Sequence, residues 1–252
     1  MYFKPYLSLV LVTILFISGC AAVHSEQRQA HSGVWNGYGK SKLPDGSVYE
    51  GNFSDGQFNG EGVLTRKNGD KYAGEFKSGV KHGYGELNSS NGYIYKGQFS
   101  DGVMHGMGTA ETNDGGHYKG GFNHGMREGH GVLLEPGVGR YEGEFKKGKF
   151  EGHGIYVFEN GNVFEGEFAN GYWNGDGVSS LISGIKYEGE FKDGRYHGEG
   201  KLSFPGGEFY KGKFQSGMRH GEGICINKEV VARCVYQYNR QVSYEVLDAI
   251  YL

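Results

Sequence analysis

The sequence predicts an all-β fold: a single-layer, elongated and twisted antiparallel sheet of stacked hairpins, capped by a short C-terminal helix. Three observations predict this fold. A frame of fixed residues recurs every 23 residues, apolar and polar residues alternate within each copy, and an Asn-Gly or Asp-Gly dipeptide precedes most of the copies. A fixed period of this length indicates supersecondary units that bury their apolar faces only by stacking on one another.

The frame reads Tyr-x-Gly-x-Phe-x-x-Gly-x-x-x-Gly-x-Gly. Eight copies follow one another without an insertion, and they begin at Tyr49, Tyr72, Tyr95, Tyr118, Tyr141, Phe164, Tyr187 and Tyr210. The chain of 252 residues contains 48 glycines and is 37% hydrophobic, which is a poor composition for a compact core. Because the glycines occupy fixed offsets in every copy, we attribute them to backbone geometry rather than to disorder.

The N-terminal residues 1–19 resemble a bacterial lipoprotein signal peptide. Lys4 precedes an apolar run from Leu7 to Ile17, which has the length of a signal-peptide core and is short for a membrane span. The run ends at Ile17-Ser18-Gly19-Cys20, which resembles a lipobox. The alternative is an ordinary signal peptide with an unrelated cysteine.

The lipobox resemblance implies that Cys20 carries acyl chains as the first residue of the mature protein. More than one acyl chain gives stable membrane anchoring. Ala21 follows in place of the Asp that often marks retention at the inner membrane, so the outer membrane is favoured. Residues 20–32 are polar and are predicted to form a tether.

Each copy contains two predicted strands. Tyr72, Gly74 and Phe76 alternate with mostly polar residues in one strand, and a Gly-x-Gly-x-Leu pattern marks the other. A two-residue loop before Tyr72 would turn Leu64 away from that ring. A three-residue loop that closes on Gly69 sets Leu64 opposite Tyr72 and keeps every apolar residue on one face, so we predict the three-residue loop.

The two ends of the array depart from the frame. Residues 33–48 contain half a copy and are predicted to cap the first end, and residues 49–232 hold the eight copies. In residues 233–252 the frame decays, and we predict a C-terminal cap. Within it, residues 242–252 are expected to form a short helix with Ser243 as N-cap, folded over the last edge strand.

The repeated frame and its turns resemble MORN repeats, a family built on the same frame with an Asp-Gly or Asn-Gly turn. The similarity extends from about Gly33 to Ile226. It implies a single-layer antiparallel sheet and roles in membrane association and protein scaffolding. Two departures are Phe164 in place of Tyr and the segment 135–139, where we expect a different turn.

Cys225 and Cys234 remain after Cys20 is set aside. In an exported protein such a pair suggests a disulfide, here one that would staple the terminal cap. Directly opposed cysteines require a loop of even length, so this hairpin is expected to slip by one residue from the register of the others. The alternative is two buried thiols.

One row of large residues varies within the frame, two positions before the third frame glycine. We call these positions the ladder, and they are occupied by Trp35, Phe58, Lys81, Met104, Arg127, Phe150, Trp173, Tyr196 and Arg219. They fall in the predicted loop between the strands of a copy, and many are residue types enriched at interface hot spots. We predict a binding surface that contains Trp35, Phe58, Arg127, Phe150, Trp173, Tyr196 and Arg219. The alternative is that these side chains cover the backbone of their own loop.

Two further rows of polar residues have simpler explanations. His82, His105, His197 and His220 share one offset, but successive copies lie about 10 Å apart, and no other ligand type recurs beside them. We therefore predict turn residues and no metal site. An acidic stripe is formed by Glu142, Glu144, Glu165, Glu167, Glu188 and Glu190. We interpret it as a solvated surface that, if functional, would favour basic partners or cations.

The function predicted from the sequence is non-catalytic. The chain contains no Gly-x-Ser-x-Gly elbow, no His-Glu-x-x-His and no P-loop, and its net charge of −3 gives no reason to expect nucleic-acid binding. We expect no cofactor. The prediction is a bacterial envelope lipoprotein, held at the membrane through Cys20, whose sheet binds or scaffolds an envelope protein. The first alternative is recognition of a lipid headgroup or cell-wall glycan, and the second is an unrecognised hydrolase. The oligomeric state is left open.

Overall fold

The computed structural model describes residues 35–249, with side chains through residue 248. The predicted signal peptide, the lipidation site Cys20 and the tether lie outside the described residues. The described chain divides into two compact units, residues 35–128 and residues 129–249.

The first unit is a meander of antiparallel strands, in which each strand from β1 to β8 pairs with its neighbours in sequence. The strands are β1 (Gly37–Lys42), β2 (Val48–Ser54), β3 (Gln57–Thr65), β4 (Lys71–Lys77), β5 (Val80–Asn88), β6 (Ile94–Ser100), β7 (Val103–Glu111) and β8 (His117–Asn123). The next strand, β9 (Met126–Glu135), begins at the end of this unit.

The second unit is a meander of the same kind, which starts with residues 129–135 of β9 and ends with β19. Its further strands are β10 (Gly139–Lys146), β11 (Lys149–Phe158), β12 (Val163–Ala169), β13 (Tyr172–Ser180), β14 (Lys186–Lys192), β15 (Arg195–Ser203), β16 (Phe209–Gln215), β17 (Met218–Ile226), β18 (Val230–Gln237) and β19 (Arg240–Ala249). The prediction of an all-β fold made of antiparallel hairpins is confirmed.

The predicted register between copies is also confirmed. Leu64 pairs with Tyr72, and both side chains are 1% exposed. The backbone N–H of Arg66 donates to the carbonyl of Asp70 at 2.8 Å, which closes a three-residue loop whose last member, Gly69, has a φ of +94°. A glycine is needed there because this φ is strained for residues with a Cβ. The face that carries the Tyr, Gly and Phe of the frame is called the ring face, and the opposite side is called the polar face.

The predicted C-terminal helix is wrong. Residues 240–249 form strand β19, which pairs antiparallel with β18, and residues 250–252 lie outside the described part. Val242, Tyr244 and Val246 are residue types that favour strands and recur with a period of two, and pairing with β18 satisfies the backbone groups along one edge of that strand. Within residues 35–249, no helix is long and apolar enough to cross a bilayer.

Candidate functional site

The frame tyrosines form the buried layer of each unit. The hydroxyl of Tyr49 donates a 2.9 Å hydrogen bond to the carbonyl of Asn52, and burial raises the pKa of Tyr49 to about 12. The ring lies over Gly62, where an added Cβ would come within 2.3 Å of the hydroxyl oxygen. Glycine is therefore required because the ring fills the space of a side chain. The same bond to the carbonyl three residues along is made by Tyr72, Tyr95, Tyr118, Tyr141, Tyr187 and Tyr210.

The turn inside each copy is shorter than we predicted, and this places the ladder in strands rather than in loops. Asp55 and Gly56 have φ values of +50° and +73°, as in a two-residue type I′ hairpin turn. Phe58 is therefore the second residue of β3 and pairs with the frame residue Phe53. The expectation that the ladder lies in loops is wrong, because a two-residue turn leaves no loop to hold it.

The aromatic ladder residues stack on the first ring of their own copy. Ring centroids are 3.8 Å apart for Phe58 on Tyr49, and 3.9 Å apart for Phe150 on Tyr141. The corresponding distance is 4.4 Å for Trp173 on Phe164 and 3.8 Å for Tyr196 on Tyr187. The interplanar angles run from 9° to 23°, so the contacts are face to face. These side chains cover rings, rather than the loop backbone that was the alternative in the sequence analysis.

Cationic ladder residues cover the same rings in other copies. The ammonium nitrogen of Lys81 is 5.2 Å from the centroid of the Tyr72 ring, and the guanidinium carbon of Arg127 is 5.6 Å from that of Tyr118. The guanidinium carbon of Arg219 lies 5.9 Å from the centroid of Tyr210, the first ring of its own copy, and 4.1 Å from that of Tyr236. A cation over an aromatic face is attracted by the ring quadrupole. A planar ring and a cation are thus interchangeable covers at the ladder position.

Exposure differs along the ladder. Trp35 is 40% exposed, whereas Phe58 is only 4% exposed. Six further members are half-buried on the ring face: Lys81, Met104, Arg127, Phe150, Trp173 and Tyr196. Arg219 is half-buried as well. The structure therefore does not place Phe58 at the surface, and the other predicted binding residues present only part of each side chain.

Backbone hydrogen bonds hold the ladder in step with the repeat. The carbonyl of Phe58 accepts a 2.9 Å bond from the N–H of Gly79, the glycine in the type I′ turn of the next copy. The carbonyl of Trp173 accepts the equivalent 3.0 Å bond from Gly194. Because each ladder residue is tied to the next turn, neighbouring ladder side chains are related by two strand spacings, which is about 10 Å.

The histidine row lies in a bulge beside the ladder. In the first copy Gly51 pairs with Gly62 and Phe53 with Phe58, so the three residues 59–61 face the single residue 52. His197 occupies this bulge in a later copy, where its carbonyl accepts a 3.1 Å hydrogen bond from the hydroxyl of Tyr187. Across residues 35–249, no three His, Cys, Asp or Glu side chains are arranged to hold a metal ion.

The acidic stripe lies on the polar face of the second unit. Glu165, Glu167, Glu188 and Glu190 are exposed, and they alternate along their strands with the buried rings. His153 joins two of these carboxylates, with its Nδ1 3.4 Å from Glu167 and its Nε2 3.9 Å from Glu165. The ladder and the glutamates thus lie on opposite faces.

Cys225 and Cys234 are joined by a disulfide bond, with Cα atoms 6.0 Å apart. The two residues are not directly opposed as we expected, because Cys225 pairs with Ala232 and Cys234 pairs with Gly223. This hairpin differs by one residue from the register of the others, and the bond runs diagonally. The shift gives Ala232 the place of a frame tyrosine and Cys234 the place of a frame glycine, so the disulfide fills space that a tyrosine ring fills elsewhere.

One shallow depression lies beside the turn between β9 and β10, in the segment 135–139 that departs from the frame. It has a volume of about 310 Å³ and is lined by Gly137, Val138, Phe158, Glu159 and Asn160. Glu159 is its one titratable side chain, and no nucleophile or second acid lies beside it among these residues. The lining therefore offers no acid–base or nucleophile pair of the kind that catalysis requires.

The sequence analysis missed the exposed apolar side chains of the last strand. Val242, Tyr244, Val246 and Leu247 are between 44% and 55% exposed. Their signal was the alternation Val242-x-Tyr244-x-Val246, which we overlooked in favour of a helical pattern. This strand edge is a second candidate surface, apart from the ladder.

Nine stretches of the chain match the family described as MORN repeat. They are residues 31–48, 49–71, 72–92, 95–117, 118–134, 141–163, 164–184, 187–209 and 210–227. The match covers well over half of the chain, and it includes every copy of the frame.

Solved structures that align with parts of this chain include two domains that were determined with bound peptides. The TCP domain of SAS-4 from Drosophila melanogaster, in complex with a proline-rich motif of Ana2, is 10% identical over 74% of this chain and 96% of that chain, with a TM-score of 0.39. The TCP10 domain of Danio rerio CPAP, in complex with a STIL peptide, is 11% identical over 84% and 98%, with a TM-score of 0.37. At such scores, these alignments say nothing about the function of this chain. No curated protein matches the sequence.

Proposed function

Because this chain belongs to the MORN-repeat family, whose repeats often mediate protein or membrane binding, we propose that it is a non-catalytic, lipid-anchored protein-binding module of the bacterial envelope. Its ladder is the contact surface. Cys20 is the anchor, and the outer membrane is the site favoured by the residue that follows it.

The half-exposed aromatic ladder of the second unit carries this proposal. Phe150, Trp173 and Tyr196 occupy successive copies, and each is held face to face on a buried ring. Stacking fixes their side-chain torsions before a partner arrives, so binding costs little conformational entropy. Trp and Tyr are also the residue types that most often carry interface energy. The geometry therefore supports a preorganised contact surface.

The test replaces aromatic surface while keeping the buried ring covered. In other copies Lys and Arg cover the ring, so Trp173→Arg combined with Tyr196→Lys retains a cover of a kind that the chain already uses. We expect this variant of the full-length chain to keep its melting temperature within a few degrees. Crosslinked capture of its protein partner from cells should fall more than about 30-fold, the loss expected from removing hot-spot residues.

The matched control is Tyr84→Arg, which changes a 61% exposed ring on the polar face of the first unit. It should leave capture unchanged. If the ladder variant captures the same protein as efficiently as the unchanged chain, the ladder is not the contact surface. Anchoring is tested separately, since Cys20→Ser should move the chain from the membrane fraction to the soluble fraction.

Recognition of an anionic lipid headgroup or a cell-wall glycan is the second candidate. It is favoured by the cationic ladder members Lys81, Arg127 and Arg219, which are residue types that bind phosphate groups. The Cys20→Ser chain is mixed with vesicles of anionic phospholipid and, separately, with insoluble peptidoglycan. Cosedimentation without capture of any protein would support this candidate and contradict the first.

A further inference from the structure

The last strand of the second unit has one edge without a pairing strand. Among the strands of the second unit, β19 pairs with β18 alone. Its apolar side chains are exposed, with Val242 at 53%, Tyr244 at 44%, Val246 at 55% and Leu247 at 47%. An edge that combines unpaired N–H and C=O groups with apolar side chains is a template for another strand.

We propose that β19 pairs antiparallel with β19 of a second copy of this chain, about a twofold axis at Tyr244. The strand is self-complementary in this register. Arg240 lies opposite Asp248 of the second copy, Val242 lies opposite Val246, and Tyr244 lies opposite its own equivalent. Read outward from Tyr244, the alternate residues are Val and then Arg in one direction, and Val and then Asp in the other. Each oppositely charged pair therefore forms twice.

The faces of the strand agree with this register. Tyr244 and Val246 pair with Cys234 and Ala232 and so project from the ring face. Ser243 and Glu245, which the proposed register sets opposite each other, both project from the polar face, because they alternate with Tyr244. Arg240 and Asp248, the charged pair, also share the polar face, because they pair with Gln237 and Val231 of β18. A partner strand requires this agreement, since directly opposed residues point to the same side of a sheet.

Two residues of β19 bulge out of its pairing with β18. The register with β18 shifts twice, and the shifts leave Val242 and Leu247 as the extra residues of the strand. In the proposed pairing Val242 meets Val246 of the second copy, and Leu247 meets Gln241. Each bulged residue thus lies opposite a ring-face residue of the second copy. The axis does not relate the two bulges to each other, because Val242 is two residues before Tyr244 and Leu247 is three residues after it.

Electrostatics select this register over others. Arg240 opposes Asp248 at both ends of the paired strands, whereas other registers separate these charges. The remaining charge, Glu245, already lies 3.5 Å from Arg233 of its own chain, which limits repulsion between the two copies of Glu245. The charged pairs therefore act mainly to choose the alignment, and the apolar side chains supply buried area.

The first strand of the first unit, unlike β19, has features that disfavour pairing with another strand. β1 has six residues, and Lys40 and Lys42 lie on one face of it. Short strands and lysines are typical devices that prevent edge pairing. Self-pairing of β1 would also bring lysines together, so the proposal applies to β19 and not to β1. It does not depend on the proposed function.

A cysteine on the axis tests the proposal in the full-length chain. Residues on a twofold axis between antiparallel strands have Cα atoms about 4.5–5.5 Å apart, within the range of a disulfide. We expect Tyr244→Cys to give at least about tenfold more covalent dimer on a non-reducing gel than Tyr84→Cys, which places a thiol at an exposed site of the first unit. Both variants are made on a Cys225→Ala, Cys234→Ala background, because a thiol at position 244 lies opposite Cys234 and would exchange with the native disulfide. Dimer formed through Cys20 appears equally in the unchanged chain and is subtracted. Equal crosslinking by the two variants would overturn the proposal.

Charge reversal tests the register. In detergent solution, sedimentation of the full-length chain should show a dimer, and Arg240→Asp or Asp248→Arg alone should raise its dissociation constant about tenfold or more, because like charges then meet twice. The double variant R240D/D248R restores the opposite charges and should recover the dissociation constant to within about threefold. A monomeric unchanged chain, or a double variant no tighter than the single ones, would show that β19 does not pair in this way.

Discussion

The two ends of the described array solve the same problem by different means. Each end of the array lacks one frame tyrosine ring among the described residues. At β1, the indole of Trp35 lies over Gly39, where an added Cβ would be 2.6 Å from a ring carbon, and it stacks on Phe53 at 4.8 Å. At β18, Ala232 replaces the ring and Cys234 replaces the glycine, and the bond to Cys225 fills the space.

The two ends differ in how the missing ring is replaced: by the movable side chain of Trp35 at one end, which we call the movable cover, and by a disulfide bond at the other, which we call the covalent cover. The side chain of Trp35 is 40% exposed and is held by ring contacts without a covalent bond, whereas Cys234 is fully buried and is bonded to the preceding strand. Between the two ends, every copy uses a buried ring over glycine. A filled space at the place of the frame tyrosine ring is thus the constant requirement, and the residue that fills it is not. Four predictions separate the three kinds of cover.

The largest loss of folding stability should come from raising the pH, because high pH favours ionisation of the buried tyrosines. Burial raises the pKa of Tyr49 and of Tyr210 from 10.0 to about 12, and that of Tyr95 further. Folded tyrosines thus hold their protons where unfolded ones lose them. Stability should be full below about pH 10 and fall as the pH rises through the folded pKa values, by about 1.4 kcal/mol per pH unit for each such tyrosine.

Denaturant titrations between about pH 8 and pH 12 measure this slope, and phenolate absorbance reports ionisation. The hairpin of β18 and β19 adds no frame tyrosine to the slope, because Ala232 stands in the ring position. Ionisation of all phenols near pH 10 with the fold intact would contradict the prediction.

The second effect compares a rigid cover with a movable one. Gly62→Ala places a Cβ 2.3 Å from the hydroxyl oxygen of the buried Tyr49, so we expect a loss of about 3 kcal/mol. Gly39→Ala meets the exposed indole of Trp35, which can move aside, and should cost less than about 1 kcal/mol. Chemical denaturation of both variants gives the comparison.

A double-mutant cycle sharpens this test. On the Tyr49→Ala background the ring is absent, so Gly62→Ala should cost much less than it does in the unchanged chain. If the two substitutions prove additive, the ring over the glycine is not the cause of the loss.

The third effect concerns the covalent cover. Replacing both Cys225 and Cys234 by Ala removes a link between residues nine positions apart, and we expect a loss of about 2–3 kcal/mol. The loss should appear first as faster amide exchange in β18 and β19. A reductant should reproduce it in the unchanged chain, and unchanged exchange in both experiments would show that the bond is not needed there.

The smallest effect is expected at the movable cover. Trp35→Ala removes a stacking contact from a side chain that is already 40% exposed, so we expect a loss of about 1–2 kcal/mol, below the value for a core aromatic. Amide exchange should rise in β1 and leave β18 and β19 unchanged. A uniform rise through both regions would mean that Trp35 supports more than its own end.

The register of the hairpins could be predicted because only one alignment keeps Leu64 and Tyr72 on the same face. That argument needs only the period of a strand and the position of Gly69, and both are local properties. The two-residue turn was also visible as Asp55-Gly56, a strong hairpin signal, but it was absorbed into a longer predicted loop. That error displaced the ladder from strands to loops.

The errors at the C-terminus have a different cause. Residues 242–252 contain enough apolar residues at helical spacing to suggest a helix, and local pattern does not decide between that and a strand. The pairing with β18 makes this segment a strand. The diagonal disulfide likewise depends on a register shift that lets Ala232, Cys234 and Tyr236 take the places of Tyr, Gly and Phe.

The sequence by itself determined the repeat, the strand faces and the glycines beneath the rings, because each follows from spacing within a single copy. Only the tertiary structure decided that Phe58 is buried while Trp173 is half-exposed, that Trp35 and a disulfide lie at the two ends, and that β19 is a strand that pairs on one edge within its unit. Those outcomes depend on which neighbour lies beside a residue, and burial is a property of the neighbour as much as of the residue itself.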